Sequence, residues 1–114
     1  MNEYLLLMKG DDSASASPAE MQERMGEYMV WMQRMMSEER LVAGQPLQPS
    51  GTHLTDRDSV VTDGPFLEPK EIIGGYVIVR AADLDEATNI ARDCPLLKHC
   101  EIYVRPLIDV PPMA

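Results

Sequence analysis

Apolar and polar positions along the chain predict a domain of mixed α and β structure. Residues 3–8, EYLLLM, form an apolar run that ends at Lys9 and Gly10, which indicates a buried strand. Five further segments have the short apolar or alternating pattern of strands. They are residues 41–47, the two arms of a hairpin at 52–55 and 59–62, residues 72–80, and residues 99–105.

Two segments carry the three- and four-residue spacing of helices. Ser17 can cap a helix that Pro18 starts, and the apolar positions after it predict a helix over residues 18–39. A second capping-box pattern begins at Asp83, and Cys94-Pro95 ends that helix. The apolar face predicted for the first helix consists of Met21, Met25, Tyr28, Met29, Met32, Met35 and Met36.

The order of these elements, β-α-β-β-β-α-β with the middle strands partly an inserted hairpin, predicts the fold class. Strands before and after each helix favour a two-layer α+β sandwich with both helices on one sheet face. Tyr76 to Val79 place apolar groups on both faces of one strand. A second copy could cover the face that the helices leave open, so we expect a homodimer.

Composition and charge exclude several classes of protein. The chain has 114 residues and a net charge of −9, which suggests one domain and disfavours nucleic acid and anionic membranes as partners. No apolar run has the length of a membrane span, and the N-terminus lacks the pattern of a secretory signal. Cys94 and Cys100 form no disulfide framework, so we expect reduced thiols and a cytoplasmic protein.

Methionine is unusually frequent, with nine residues against one Trp and one Phe. Six of the nine lie between Met21 and Met36. Two interpretations stay open: a flexible stripe that packs in the core or at a dimer contact, and an adaptable apolar pocket.

The stretch VVTDGPFLEPKE, residues 60–71, combines a turn with candidate chemistry. Asp63, Gly64 and Pro65 each suit a turn, where Asp63 can accept hydrogen bonds from backbone amides. The same carboxylate could act as a general base or bind a ligand. Phe66 could anchor the loop in the core or form a ligand wall, and Lys70 could pair with an anion or with Asp63.

Four segments together resemble the DGPF group of the YCII-related domain family, which is named after the Asp63–Phe66 tetrapeptide. They are LLLMKGDD, LVAGQPLQP, VVTDGPFLEPKEIIGGYVIV and EIYVRPL. The resemblance covers residues 1–107 as a single domain and leaves residues 108–114 as a tail. It implies a ferredoxin-like fold that forms a dimeric α/β barrel.

The resemblance also implies two kinds of function. Several relatives hold a His and an Asp together in a cleft, which suits an acid/base pair in a small enzyme. Relatives are also often encoded beside sigma factors of the extracytoplasmic-function type, which implies a regulatory link. In those relatives the histidine lies on the first helix, whereas residues 18–39 contain no histidine here, and Glu27 or Tyr28 occupies the comparable region.

The candidate residues point to two hypotheses. The first is a cofactor-independent enzyme for proton abstraction, elimination or isomerisation of a small apolar or aromatic compound in a cleft, with Asp63 as the leading catalytic candidate. Tyr28 and His53 are weaker catalytic candidates, and the ligand-binding candidates are Trp31, Met32, Phe66 and Lys70. The alternative is a noncatalytic dimeric binding or regulatory protein that is linked to a sigma factor.

We expect neither a cofactor nor a metal ion. The stretch around Cys94, His99 and Cys100 invites comparison with metal sites, but its spacing matches no common zinc pattern.

Overall fold

The secondary structure follows the predicted pattern closely. The structure, a computed structural model, describes residues 1–10, 12, 15–48, 50–63 and 71–110, and for residues 60–63 it describes the backbone alone. The elements of these ranges are β1 (Asn2–Lys9), α1 (Pro18–Ser37), β2 (Leu41–Pro46), β3 (Gly51–Leu54), β4 (Val60–Asp63), β5 (Ile73–Ala81), α2 (Leu84–Arg92) and β6 (Glu101–Pro106). A 3-10 turn, Pro95–Lys98, links α2 to β6.

Four of the strands form one antiparallel sheet in the order β2-β5-β1-β6. Strands β3 and β4 pair separately as an antiparallel hairpin between β2 and β5. Without this hairpin the order is β-α-β-β-α-β, which is consistent with a ferredoxin-like fold. The predicted α+β class and the inserted hairpin are confirmed. Four strands separate the helices where the predicted order counted three, because both hairpin arms pair as strands.

The core lies between one face of the sheet and the two helices. On β1 and β5 alternate residues are buried, among them Leu6, Val77 and Val79. Residues of both helices join them in one cluster, so the prediction of both helices on one face is confirmed. The opposite face, which we call the second sheet face (Leu5, Leu7, Tyr76 and Ile78), is half-buried.

Helix α1 buries a stripe that overlaps its predicted apolar face and is rotated towards Trp31. Its buried residues are Tyr28, Trp31 and Met35. The predicted face is therefore confirmed at Tyr28 and Met35, whereas Met21, Met25, Met29 and Met36 are exposed. Both stripes have helical spacing, but the stripe that contains two aromatic side chains buries more apolar area.

Both predicted helix starts are confirmed by side-chain caps. Ser17 Oγ accepts a hydrogen bond of 3.1 Å from Glu20 N, and Asp83 Oδ1 accepts one of 2.8 Å from Glu86 N. Within the described ranges, neither helix combines the length and hydrophobicity needed to cross a membrane.

Candidate functional site

A cavity of about 300 Å³ lies at one end of the main sheet, on the side of the helices. Its walls come from the N-terminal half of α1, from the ends of β1, β2 and β5, and from the turn before β6. Most of these walls are apolar, and they include Met8, Met21, Met25, Pro46, Leu47 and Leu96. Ligand cavities in proteins are typically apolar with a few convergent polar groups, so the polar residues of this cavity decide its chemistry.

Three polar side chains meet in this cavity, and we call them the polar corner (Asp12, Arg24 and His99). Arg24 Nη1 lies 2.7 Å from Asp12 Oδ1, which is a short charge-assisted hydrogen bond. His99 Nδ1 lies 3.4 Å from Asp12 Oδ2. The two oxygens of one carboxylate therefore face two different cationic or proton-bearing groups.

Gly10 and Asp12 both line the cavity, and backbone hydrogen bonds are described for each of them. Gly10 has a φ of 114°, which favours glycine because a side chain would clash there. Its amide donates a 2.6 Å hydrogen bond to the carbonyl of Ile72, at the start of β5. The carbonyl of Asp12 then accepts hydrogen bonds from the amide and the hydroxyl of Ser15, at 3.1 and 2.9 Å. These contacts join Gly10 to Ile72 and Asp12 to Ser15, and Arg24 of α1 contacts the Asp12 side chain.

His99 is placed by the 3-10 turn that follows α2. Pro95 starts this turn, and the amide of His99 closes it with a 2.9 Å hydrogen bond to the carbonyl of Leu96. Lys98 Nζ also lies 2.9 Å from Glu27 Oε2, which ties the turn to α1. These contacts place His99 next to α1, the helix that contains Arg24.

The surroundings of three titratable side chains in the cavity shift their pKa values in different directions. Burial alone raises the pKa of Asp12, but the hydrogen bond and charge of Arg24, helped by His99, lower this pKa below its ordinary value. Burial raises the pKa of the Tyr28 phenol, with a smaller effect from Cys94. Burial likewise raises the pKa of the Cys100 thiol. At neutral pH the cavity therefore contains a carboxylate, a phenol and a thiol.

This arrangement has the components of an acid/base pair. A carboxylate that faces Nδ1 of an imidazole favours the tautomer with a proton on that nitrogen, which leaves Nε2 free to accept a proton. Contacts of this kind are often long in structures without substrate, so 3.4 Å is compatible with the role.

The residues singled out from the sequence are spread over several places. Tyr28, a weaker catalytic candidate, lines the cavity. Trp31 is buried in the core with its ring centroid 6.2 Å from that of Tyr28, and Met32 packs against the core. His53 is exposed on β3 and is not among the residues that line the cavity.

Asp63 ends β4, where it pairs with Gly51. Its side chain lies outside what the structure describes, as do Phe66 and Lys70 entirely. The proposed roles of these three residues stay predictions.

Sequence reasoning missed Asp12, Arg24 and His99 as a group. The resemblance contained a usable signal, since it implied a His–Asp pair in a cleft while the first helix lacks histidine. Only two histidines exist in the chain, and the sequence relates His99 to Cys94 and Cys100 without indicating Asp12. Cys94 is buried, and the Cys100 thiol donates a 3.2 Å hydrogen bond to the carbonyl of Leu96. Among the described residues, no three His, Cys, Asp or Glu side chains lie close enough to hold a metal ion.

Fold and site together define a small α+β domain with a polar corner in an apolar cavity. The family model of the YCII-related domain matches residues 2–111. The chain belongs to the YCII-related domain family. An uncharacterised protein of Rhizobium meliloti (strain 1021) is 36% identical over 96 residues, which cover 79% of this chain and 77% of that protein.

A solved structure has the same overall fold. It is the 5-chloro-2-hydroxyhydroquinone dehydrochlorinase of Burkholderia phenoliruptrix AC1100, in complex with 2,5-dihydroxybenzoquinone. The two chains superpose with a TM-score of 0.52 over 90% of each, at 16% sequence identity. A likeness at this identity establishes the fold and leaves the chemistry to the residues of the cavity.

Proposed function

We propose that this protein is a cofactor-independent enzyme that removes a proton from a small, largely apolar compound, with His99 as the general base. The observation that carries this proposal is the meeting of Asp12, Arg24 and His99 in one apolar cavity. His99 replaces Asp63 as our leading catalytic candidate, because the described contacts give its imidazole an orienting partner.

The proposed step is a proton transfer to Nε2 of His99. The C–H or O–H bond of the substrate breaks, and its electron pair stays on the substrate. In an elimination this pair forms a new double bond while the leaving group departs with its own pair. The imidazolium formed would be stabilised by the Asp12 carboxylate and would later release its proton to water.

Size and charge of the cavity suggest the class of substrate. A volume of about 300 Å³ is at the lower end for ligand sites and suits a compound with one ring. The charge of Asp12 is already balanced by Arg24, so a neutral substrate with an ionisable hydroxyl or an activated C–H group fits best. Methionine side chains and the Tyr28 ring suit the face of a planar ring.

The dehydrochlorinase with the same fold supports this class by analogy alone, since its structure is a complex with a dihydroxybenzoquinone. Tyr28, as a neutral phenol, would donate a hydrogen bond to a substrate oxygen. Asp63, Phe66 and Lys70 remain further candidates for contact with the same compound.

The two histidines provide a matched test. Wild type, His99→Asn, His53→Asn and Asp63→Asn are screened against planar phenols, enols and chlorinated hydroquinones, with binding measured by thermal shift and turnover by product analysis. We expect His99→Asn to bind the active compound while its turnover falls by about 10²- to 10⁴-fold. His53→Asn should keep wild-type turnover, because that residue is exposed on β3.

Turnover by His99→Asn at the wild-type rate would contradict the proposed base. Loss of turnover in His53→Asn or Asp63→Asn alone would instead support the candidates that the sequence suggested.

The alternative, a noncatalytic regulatory protein that binds a sigma factor, is consistent with the net charge of −9. It predicts a stable complex with a sigma factor encoded nearby in a pull-down and no turnover of any compound in the panel. Absence of that complex would count against it.

A further inference from the structure

The contacts of Arg24 indicate more than a surface ion pair. Its side chain is only 16% exposed, although it lies on the first two turns of α1, and it lines the cavity beside Met21. Nη1 lies 2.7 Å from Asp12 Oδ1 and 3.9 Å from the sulfur of Met21. The guanidinium is therefore packed against the site and partly removed from water.

We propose that Arg24 is a positioning residue, which holds the Asp12 carboxylate so that its second oxygen keeps His99 in the tautomer with the proton on Nδ1. This inference rests on the proposed function of His99. Arg24 contacts Asp12 and acts on His99 only through that carboxylate.

The two oxygens of the Asp12 carboxylate face different partners. Oδ1 faces Arg24 and Oδ2 faces His99. Because a carboxylate is planar, a strong hydrogen bond to one oxygen also sets the direction of the lone pairs on the other. The contact with Arg24 is the shorter of the two, so it has the larger influence on the orientation of the group.

Asp12 needs such an anchor because its side chain is partly exposed to water. Its side chain is 44% exposed, and without Arg24 the carboxylate could turn into water. Arg24 belongs to a 20-residue helix, so its backbone is held more rigidly than that of a loop residue. Arg24 on helix α1 thus fixes Asp12, and Asp12 orients the imidazole of His99.

A second role for Arg24, direct binding of a substrate anion, makes a different kinetic prediction. Loss of an anion contact in the ground state raises KM, whereas loss of orientation of the base lowers kcat. With a compound from the panel that turns over, we expect Arg24→Gln to lower kcat more than it raises KM.

Histidine NMR tests the positioning without any substrate. The protein, labelled with ¹⁵N, has two imidazole spin systems, and His53→Asn assigns them. At a pH where His99 is neutral, we expect mainly the Nδ1–H form in wild type. In Arg24→Gln this population should fall towards the Nε2–H form that free imidazole prefers, and Arg24→Lys should restore part of it.

Arg34→Gln is the matched control for the loss of one arginine from α1. Arg34 is half exposed and pairs only loosely with Glu38 and Asp93, at 3.8 and 3.6 Å. We expect it to leave the His99 tautomer unchanged.

Three results would overturn the positioning role: a wild-type protein in which Nε2–H predominates, an Arg24→Gln variant with the wild-type tautomer, or an equal change in Arg34→Gln. The first needs no variant, so the test does not depend on the folding of Arg24→Gln. A tautomer change together with undiminished turnover in His99→Asn would refute the proposed base and leave the role of Arg24 towards His99 intact.

Discussion

At the scale of single residues, two small details accompany the polar corner. Gly10 has a positive φ after β1, and Asp12 follows two residues later. The turn that begins at Pro95 places His99 opposite, 3.4 Å from that carboxylate. Neither detail is visible in hydrophobic periodicity, because each depends on a local backbone turn that brings together residues 87 positions apart in the sequence.

The two adjacent glycines of β5 offer a matched pair of substitutions. A Cβ at Gly75 would lie 3.1 Å from the carbonyl oxygen of Gln45 and 3.3 Å from Cα of Pro46, whereas at Gly74 the nearest atom would be 3.7 Å away. We therefore expect Gly75→Ala to lower the free energy of unfolding by about 1 to 2 kcal/mol, since backbone atoms must shift. Gly74→Ala should change it by less than about 0.5 kcal/mol.

Urea unfolding followed by the fluorescence of Trp31, the single tryptophan, measures both values. Equal free energies of unfolding for the two variants would contradict this prediction, because they would show that β2 can shift at Gln45 without cost. The contacts at Gly75 show that the backbones of β2 and β5 pack closely at this position.

At the scale of elements, the sequence predicted the starts of the helices better than their orientation. Capping is local, so Ser17 and Asp83 could be recognised from neighbouring residues alone. The face that α1 turns inward depends on how its side chains fit against β1 and β5. Trp31 therefore lies in the core, while Met25 and Met29 remain exposed.

Gly26 of helix α1 lies at a position where a side chain would meet open space. A Cβ at Gly26 would have no heavy atom within 4 Å, apart from its immediate helix neighbours. We expect Gly26→Ala to raise the free energy of unfolding by about 1 kcal/mol, because alanine loses less backbone freedom in a helix. Gln33→Ala, at another exposed position of α1, is the control and should change it by less than about 0.5 kcal/mol. A less stable Gly26→Ala variant would indicate that another chain or a ligand packs at this glycine.

The start of α2 predicts a pH-dependent contribution to stability. Glu86 Oε1 accepts hydrogen bonds from Arg40 Nη1 at 2.6 Å and from the amide of Ala82 at 3.0 Å. The Arg40 hydrogen bond, and then the Ala82 amide, lower the pKa of Glu86 in the folded protein. A lowered pKa gives stability that is present above the ordinary glutamate range and is lost as the pH falls through the folded value.

We therefore expect Glu86→Gln to be less stable than wild type at neutral pH and the difference to vanish in acid. Asp85→Asn, which removes a neighbouring charge from the same first turn, should show a smaller pH dependence. Thermal unfolding at several pH values provides the comparison, and a difference that persists unchanged in acid would argue against the ion pair as its source.

At the scale of the whole molecule, the sheet face opposite the helices bears on the association state of the protein. The second sheet face contains Leu5, Leu7, Tyr76 and Ile78, and it lies opposite the helices. Lys9 Nζ lies 5.8 Å from the ring centroid of Tyr103 at the edge of that face. We infer that a second copy covers it, as the dimeric barrel implied by the family resemblance requires.

Light scattering tests this dimer through a substitution at the centre of the face. We expect wild type to have twice the chain mass of 12.8 kDa at micromolar concentration. Ile78→Glu should reduce this mass towards one chain, because a buried interface would have to accept an unpaired charge. Val30→Glu, at a 68% exposed position of α1, is the control and should leave the mass unchanged. A wild-type mass near 12.8 kDa would contradict the dimer.

The sequence by itself determined the class of the fold, the two helix starts and the inserted hairpin. These features follow from local chemistry: alternation of apolar residues, capping side chains and turn residues act over a few positions each. Its tetrapeptide at Asp63 also predicted a site at that turn. The tertiary structure alone decided that Asp12, Arg24 and His99 meet in one cavity, because their contacts join a loop, a helix and a turn that only packing brings within 4 Å.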